Sequence, residues 1–264
     1  MRSLSPVVMR IEENLIEFFR HLARNREGGE VREAAGVSFA SCGATFHMFN
    51  GAFLSTAVRD AAELEQRIVT AAEHFERRKL RWAFWVNEEK LEGNLCRLAR
   101  GVFHNHGLGL SSRMPAMIAG GLKPPARRLP PIEIRRIDNE ETRAAFCHIV
   151  SAAFSIPFEW SRELYGSART WDGALSGYLS YAGGEVVSAA AAMAAAGALG
   201  LYCVATLPGH ERKGYAEAIV RHAVGEARSR LGLRYSVLQS TAVGLPLYQR
   251  LGYEIVSHFA VYTR

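Results

Sequence analysis

Between Leu199 and Ala216 the chain reads Leu-Gly-Leu-Tyr-Cys-Val-Ala-Thr-Leu-Pro-Gly-His-Glu-Arg-Lys-Gly-Tyr-Ala. An apolar, strand-like run is followed by a turn with Pro208 and Gly209, two adjacent cations (Arg212 and Lys213), and Gly214. A helix starting near Gly214 has no Ser, Thr, Asp or Asn at its head to accept from its first backbone N–H groups. Those donors, the positive end of the helix dipole and the two cations favour an anion such as a phosphate. Gly214 allows close backbone approach, and small Ala216 leaves the next turn uncrowded. Read alone, the same segment also fits an ordinary strand–turn–helix with a solvated basic tip. Downstream, Leu247-Tyr-Gln-Arg-Leu-Gly-Tyr253 places Tyr248 in a short helix that Pro246 opens and Gly252 stops. By itself Tyr248 reads as a core aromatic.

These residues need a scaffold. Strands are expected at 175–182, 186–193 and 199–207, a long helix at 214–230, a strand at 234–240, a helix at 245–251 and a closing strand pair between Tyr253 and Arg264. Ahead of them, residues 132–137 alternate with period two, Asp138 and Asn139 cap a helix to about 153, and a shorter helix falls near 159–165. Alanine favours helix in the run 189–198, but Gly197 and Gly200 interrupt it, so a strand is expected there. Leu122-Lys-Pro-Pro-Ala-Arg-Arg-Leu-Pro-Pro131 holds four prolines and continues neither helix nor sheet. It divides the chain into residues 1–121 and 132–264, each long enough for a domain. In the first part, Ser5 and Pro6 open a helix carrying Val8, Ile11, Leu15, Phe18, Phe19 and Leu22. Strands within 37–58 follow, then a helix capped by Asp60 and Glu63, a strand at 81–86, a helix near 91–100 and a strand at 109–118.

The 264 residues carry a formal charge of +6. Residues 1–121 hold 16 basic and 14 acidic side chains and residues 132–264 hold 13 and 12, so neither part is a basic platform for nucleic acid. Half of the excess lies in the linker, on Lys123, Arg127 and Arg128. Val186 to Leu207 is uncharged and long enough to span a bilayer, but it is alanine-rich and lacks flanking basic clusters, so no membrane helix is expected. Met1 to Met9 is only weakly apolar, which argues against a signal peptide. Cys42, Cys96, Cys147 and Cys203 stand far apart, as free thiols of a cytoplasmic protein would. His104 and His106 would share a strand face, yet no third ligand lies near in sequence, and no metal is expected.

The turn Glu211-Arg-Lys-Gly214-Tyr-Ala216 and the segment Leu247–Tyr253, at this separation, resemble the GNAT acetyltransferase superfamily. Its motif is an Arg/Gln-x-x-Gly-x-Gly/Ala turn before a long helix, then a strand and a helix with Leu-Tyr-x-x-x-Gly-Phe/Tyr. The first part resembles a degenerate copy: Phe84-Trp-Val86 and Met114-Pro-Ala-Met117 fit, but Thr56-Ala-Val-Arg-Asp-Ala-Ala-Glu63 lacks the glycine turn. The resemblance implies an α/β (α+β, mixed-sheet) protein of two GNAT-like domains, each a mostly antiparallel mixed sheet flanked by helices. Residues 1–121 would lack the CoA motif, 122–131 would be the linker, and 132–264 would bind acetyl-CoA.

It further implies acetyl transfer by direct attack of an amine, on a small molecule or a peptide, in a monomer or homodimer with no nucleic-acid or membrane partner. Backbone groups of Val204, Ala205 and Thr206 would hold the pantetheine, and Arg212, Lys213, Gly214, Tyr215 and Ala216 the pyrophosphate. Tyr248 would protonate the departing thiolate. His148, His210, His258 and a relayed water all stand as candidate bases. Phe154, Phe158, Trp160, Tyr165 and Trp171 either wall the acceptor site, with Asn50 and Phe53 at the seam, or pack the local core. Glu211 stands where the family has Arg or Gln, and a carboxylate there weakens CoA binding unless it turns away or pairs with Arg212 or Lys213. The alternative is a non-catalytic acyl-CoA-binding regulatory or partner-binding module.

Overall fold

A computed structural model describes residues 5–264; Met1 to Leu4, part of the stretch weighed as a leader, lie outside the described residues. Short-range signals set most element ends. The Ser5 hydroxyl accepts from the Val8 N–H (3.3 Å) and Pro6 opens α1 (Pro6–Arg24). The chain continues through β1 (Glu30–Ala34), β2 (Val37–Ser41), β3 (Asn50–Leu54), α2 (Ala61–Arg77), β4 (Ala83–Asn87), α3 (Leu95–Asn105) and β5 (Gly109–Ala119). After the linker come β6 (Glu133–Arg136), α4 (Glu140–Phe154), α5 (Phe158–Tyr165), β7 (Leu175–Ala182), β8 (Glu185–Ala195) and β9 (Ala198–Thr206). The last elements are α6 (Tyr215–Leu231), β10 (Tyr235–Gln239), α7 (Leu245–Leu251) and β11 (Glu254–Thr263). Asp60 and Asn139 cap α2 and α4, accepting from Glu63 and Thr142 N–H groups at 2.9 Å each.

Three local expectations need correction. The helix expected near 91–100 starts at Leu95, because a 3-10 turn at Glu88–Lys90 and Gly93 (φ +62°) keep the chain out of helix until then. His104 therefore lies in α3 and His106 ends it, not on one strand face. The closing strand pair is a single strand, β11: no Gly, Pro, Asn or Asp breaks Glu254–Thr263, and its partners come from the other half. The alanine run, by contrast, is strand. Ala189 to Ala192 in β8 are buried between α6 on one face and α1 and α4 on the other, where small side chains let helices approach closely. Among the described residues no helix is long and apolar enough to cross a membrane.

The eleven strands of the described residues form one mixed sheet, in the order β1-β2-β3-β4-β11-β5-β10-β9-β8-β7-β6. Each half contains a parallel pair joined by a helix, β3/β4 across α2 and β9/β10 across α6, and the other pairings are antiparallel. The halves exchange their last strands. β11 lies between β4 and β5, and β5 lies between β11 and β10. One face carries a continuous core from α1, α4 and α5; the other carries separate cores under α2/α3 and under α6/α7.

Residues 132–264 alone would thus lack the strand that stands between β10 and β11. Heating is expected to unfold both halves in one transition. Phe53→Ala in the first half should cost about 3–5 kcal/mol and Ile219→Ala in the second about 2–5 kcal/mol, both side chains being fully buried. Each should lower the same melting step in calorimetry. Two steps, with each variant moving only its own, would contradict the shared sheet.

Candidate functional site

β9 and β10 pair only at Ala198/Tyr235, Leu199/Ser236 and Gly200/Val237. Beyond that, β9 follows β8 to Thr206 while β10 follows β5 to Gln239, and a wedge opens between them. The opening coincides with a bulge. The β8/β9 register shifts opposite Ala189/Ala191, and Cys203 takes a left-handed conformation (φ +49°). Such a residue costs about 1–3 kcal/mol, and a bulge re-aims backbone groups out of the regular ladder. Val204, Ala205 and Thr206 thus lie on the wedge side of β9 where pairing to β10 has ended. Val204 packs with the α6/α7 core and Ala205 with the α1/α4/α5 core.

The expected phosphate turn follows directly. Gly209 (φ +85°), Arg212 (φ +60°) and Gly214 (φ +96°) are left-handed, and alternation of this kind turns N–H groups into an anion-binding concavity. Gly214 heads α6 with no side-chain cap, leaving the first N–H groups of the helix, those of Tyr215 and Ala216 among them, without an intrahelical acceptor. The Glu211 carboxylate turns back on its own turn and accepts from the Gly209 N–H (2.8 Å), while Lys213 donates to the Gly209 carbonyl (3.0 Å). Glu211 is thereby tied to the turn itself.

Tyr248, 7% exposed, shares a core with Leu238, Leu251 and Val204 and meets Tyr253 edge-on at 5.6 Å. Burial pushes its hydroxyl well above the ordinary tyrosine value, so it keeps its proton at neutral pH. Of the candidate bases, His148 is exposed on α4. His258 neighbours Arg113 and Glu88 of the first half, and burial foremost pushes its pKa down. His210 sits in the same turn as Glu211 and Gly214, its ring 6.3 Å from that of Tyr215.

The aromatic set does not form one wall. Tyr165 is fully buried, its hydroxyl 3.1 Å from the Cys203 Sγ at the bulge, and Trp160 stacks on Phe46 of the first half at 5.1 Å. Phe158 is half-buried against the same core, Trp171 packs on Phe146, and Phe154 faces solvent. Asn50 and Phe53 do not line an opening either. The Asn50 amide donates to the Ala44 and Arg81 carbonyls, and Phe53 is enclosed by Phe19 and Trp85. Sequence reasoning passed over Gln239, the last residue of β10. Val237 faces the α1 side and Leu238 the α6 side, so alternation puts Gln239 on the α1 side of the wedge, with its buried Nε2 unpartnered among the described residues. A lone amide closing an apolar strand was the available signal.

The equivalent place in the first half is filled. β3 and β4 pair from Gly51/Ala83 to Phe53/Trp85, and beyond them the Lys90 ammonium donates to the Leu54 carbonyl and pairs with Glu12 of α1 (3.0 Å). The Val58 N–H donates to the Lys90 carbonyl (2.7 Å) and the Glu92 N–H to the Val58 carbonyl (2.9 Å), bridging the two strands. Glu12 is buried, and burial holds its carboxyl above the ordinary value against the pull of Lys90. Lys90→Met, which leaves that carboxyl buried and unpaired, is expected to cost about 3–5 kcal/mol. Adding Glu12→Gln should recover much of the loss in denaturant titration; strictly additive losses would dismiss the pair as a unit.

Residues 132–264 thus hold a splayed parallel pair with an uncapped, cation-flanked helix start at its mouth. Residues 133–256 match the acetyltransferase (GNAT) domain family, whose members transfer acyl groups from acetyl-CoA. A GCN5-related N-acetyltransferase from Kribbella flavida shares the fold over 100% of this chain and 96% of its own, at 20% identity and a TM-score of 0.73. One from Sphaerobacter thermophilus matches 87% of this chain and 76% of its own, at 16% identity and a TM-score of 0.60. A functionally unknown conserved protein from Staphylococcus epidermidis ATCC 12228 matches 88% and 92%, at 10% identity and a TM-score of 0.66. At these identities the likeness is one of fold. No curated protein matches the chain.

Proposed function

We propose that the protein is an N-acetyltransferase with one active site per chain, in residues 132–264, and that residues 1–121 form a GNAT-like part without a CoA site. The observation that carries this reading is the wedge between β9 and β10 with the uncapped head of α6 beside it. Acetyl-CoA is a substrate here, its pantetheine extended along Val204 to Thr206 like an added strand and its pyrophosphate on the N–H groups of 212–216. The neutral amine attacks the thioester carbonyl, a C–N bond forms, and the C–S bond breaks. Tyr248 gives its proton to the departing thiolate, and the proton lost by the amine passes to water or a base. Four free cysteines suit a reducing compartment, which favours the cytoplasm.

The test is thiol release from acetyl-CoA in the presence of small amines, amino acids, aminoglycosides and peptides with free N-termini. Amine-dependent release together with the acetylated product by mass is expected. Tight CoA binding without transfer to any acceptor would instead make the protein a binding module.

A further inference from the structure

The proline-rich linker docks on the second half at two places. The Lys123 N–H donates to the Leu251 carbonyl at the end of α7 (2.9 Å), and the Lys123 side chain lies over Gly252. Further along, Arg127 Nη2 donates to the Arg212 carbonyl (3.0 Å). Arg127 and Pro130 also stand against Gly214, since a Cβ there would lie 3.6 Å from Arg127 Nη2 and 3.1 Å from Pro130 Cδ. The connector thus runs from the stop of α7 to the head of α6.

Its charge is unbalanced. Leu122 to Pro131 carries three cations and no acid. Arg127 and Lys213 both donate to backbone carbonyls, and the nearby carboxylate, Glu211, is engaged by the Gly209 N–H. Arg127, Arg212, Lys213 and the positive end of α6 therefore converge on one turn. A guanidinium has five N–H donors, and the Arg212 carbonyl takes only part of them. The remainder, on an exposed side chain, suit a phosphate well.

We propose that Arg127 is a ligand of the phosphates of bound CoA, held in place by the Arg212 carbonyl. This rests on the acetyl-CoA reading above. The turn has Glu211 where the resembled family carries Arg or Gln, and the linker returns a cation to that turn from outside the domain. The segment that joins the halves is then also part of the substrate site.

Calorimetric titration of the intact protein with acetyl-CoA tests this, using the wild type, Arg127→Ala, Arg127→Lys and Arg128→Ala. Charge-assisted hydrogen bonds of this kind predict about 10–100-fold weaker binding for Arg127→Ala. Arg127→Lys should recover part of it, with melting temperatures unchanged. Arg128→Ala removes the same charge from the same segment and should leave affinity within about threefold, as expected of an exposed charge. An equal fold-loss with dephospho-CoA assigns Arg127 to the pyrophosphate, and a loss confined to intact CoA assigns it to the 3′-phosphate. Wild-type binding with an unaffected Arg127→Ala variant, or equal losses at 127 and 128, overturns the proposal. No binding by the wild type overturns the acetyl-CoA reading itself, and this inference with it.

Discussion

Gly214→Glu is expected to remove measurable acetyl-CoA binding, whereas the wild type is expected to bind one molecule per chain. Gly214 heads α6 at φ +96°, a conformation that L side chains rarely adopt, so any side chain is strained there. A glutamate also brings bulk against Pro130 and a negative charge to the helix end that attracts phosphate. Gly214→Ala separates these effects. It carries the strain without the charge and is expected to bind weakly, with a melting temperature close to that of Gly214→Glu. One site is expected because in the first half Lys90 and Glu12 fill the corresponding wedge. Titration calorimetry that found two sites per chain, or full affinity in Gly214→Glu, would falsify the placement.

Tyr248→Phe is expected to lower turnover by about 10²–10⁴-fold, the range a positioned proton donor contributes, while acetyl-CoA affinity stays near wild type. The ring would retain its packing against Tyr253 and its place among Leu238 and Leu251. Only the hydroxyl is lost. Burial keeps that hydroxyl protonated far into the alkaline range, so the wild-type rate should show no limb from Tyr248 ionisation near neutrality. Stopped-flow measurement of the chemical step separates the roles: an unchanged rate in Tyr248→Phe removes the residue from the chemistry and leaves it a core aromatic.

What could be read before folding was what short stretches of chain decide among themselves. Ser5, Asp60 and Asn139 sit where caps belong because a side-chain oxygen satisfies N–H groups only three residues away. Pro124, Pro125, Pro130 and Pro131 exclude regular structure through their own rings, and Gly214 and Gly252 mark left-handed positions through the lack of a Cβ. The spacing of the glycine turn from Leu247–Tyr253 was therefore legible, and so was the family of the second half.

Contacts between distant segments were not. The sequence of a strand such as β5 or β11 does not name the neighbour it joins, so their exchange across the halves depends on the assembled sheet. The ring types of Tyr165, Trp171 and Phe154 look alike in sequence, yet burial at the bulge, in the core and in solvent is set by what α4, α5 and β7 pack against. Lys90, Gln239 and Arg127 have unremarked neighbours along the chain. The partners of Lys90 and Arg127, and the burial that leaves the Gln239 amide unpartnered among the described residues, arise only when the sheet closes, because charge and hydrogen bonding act through space and not along the backbone.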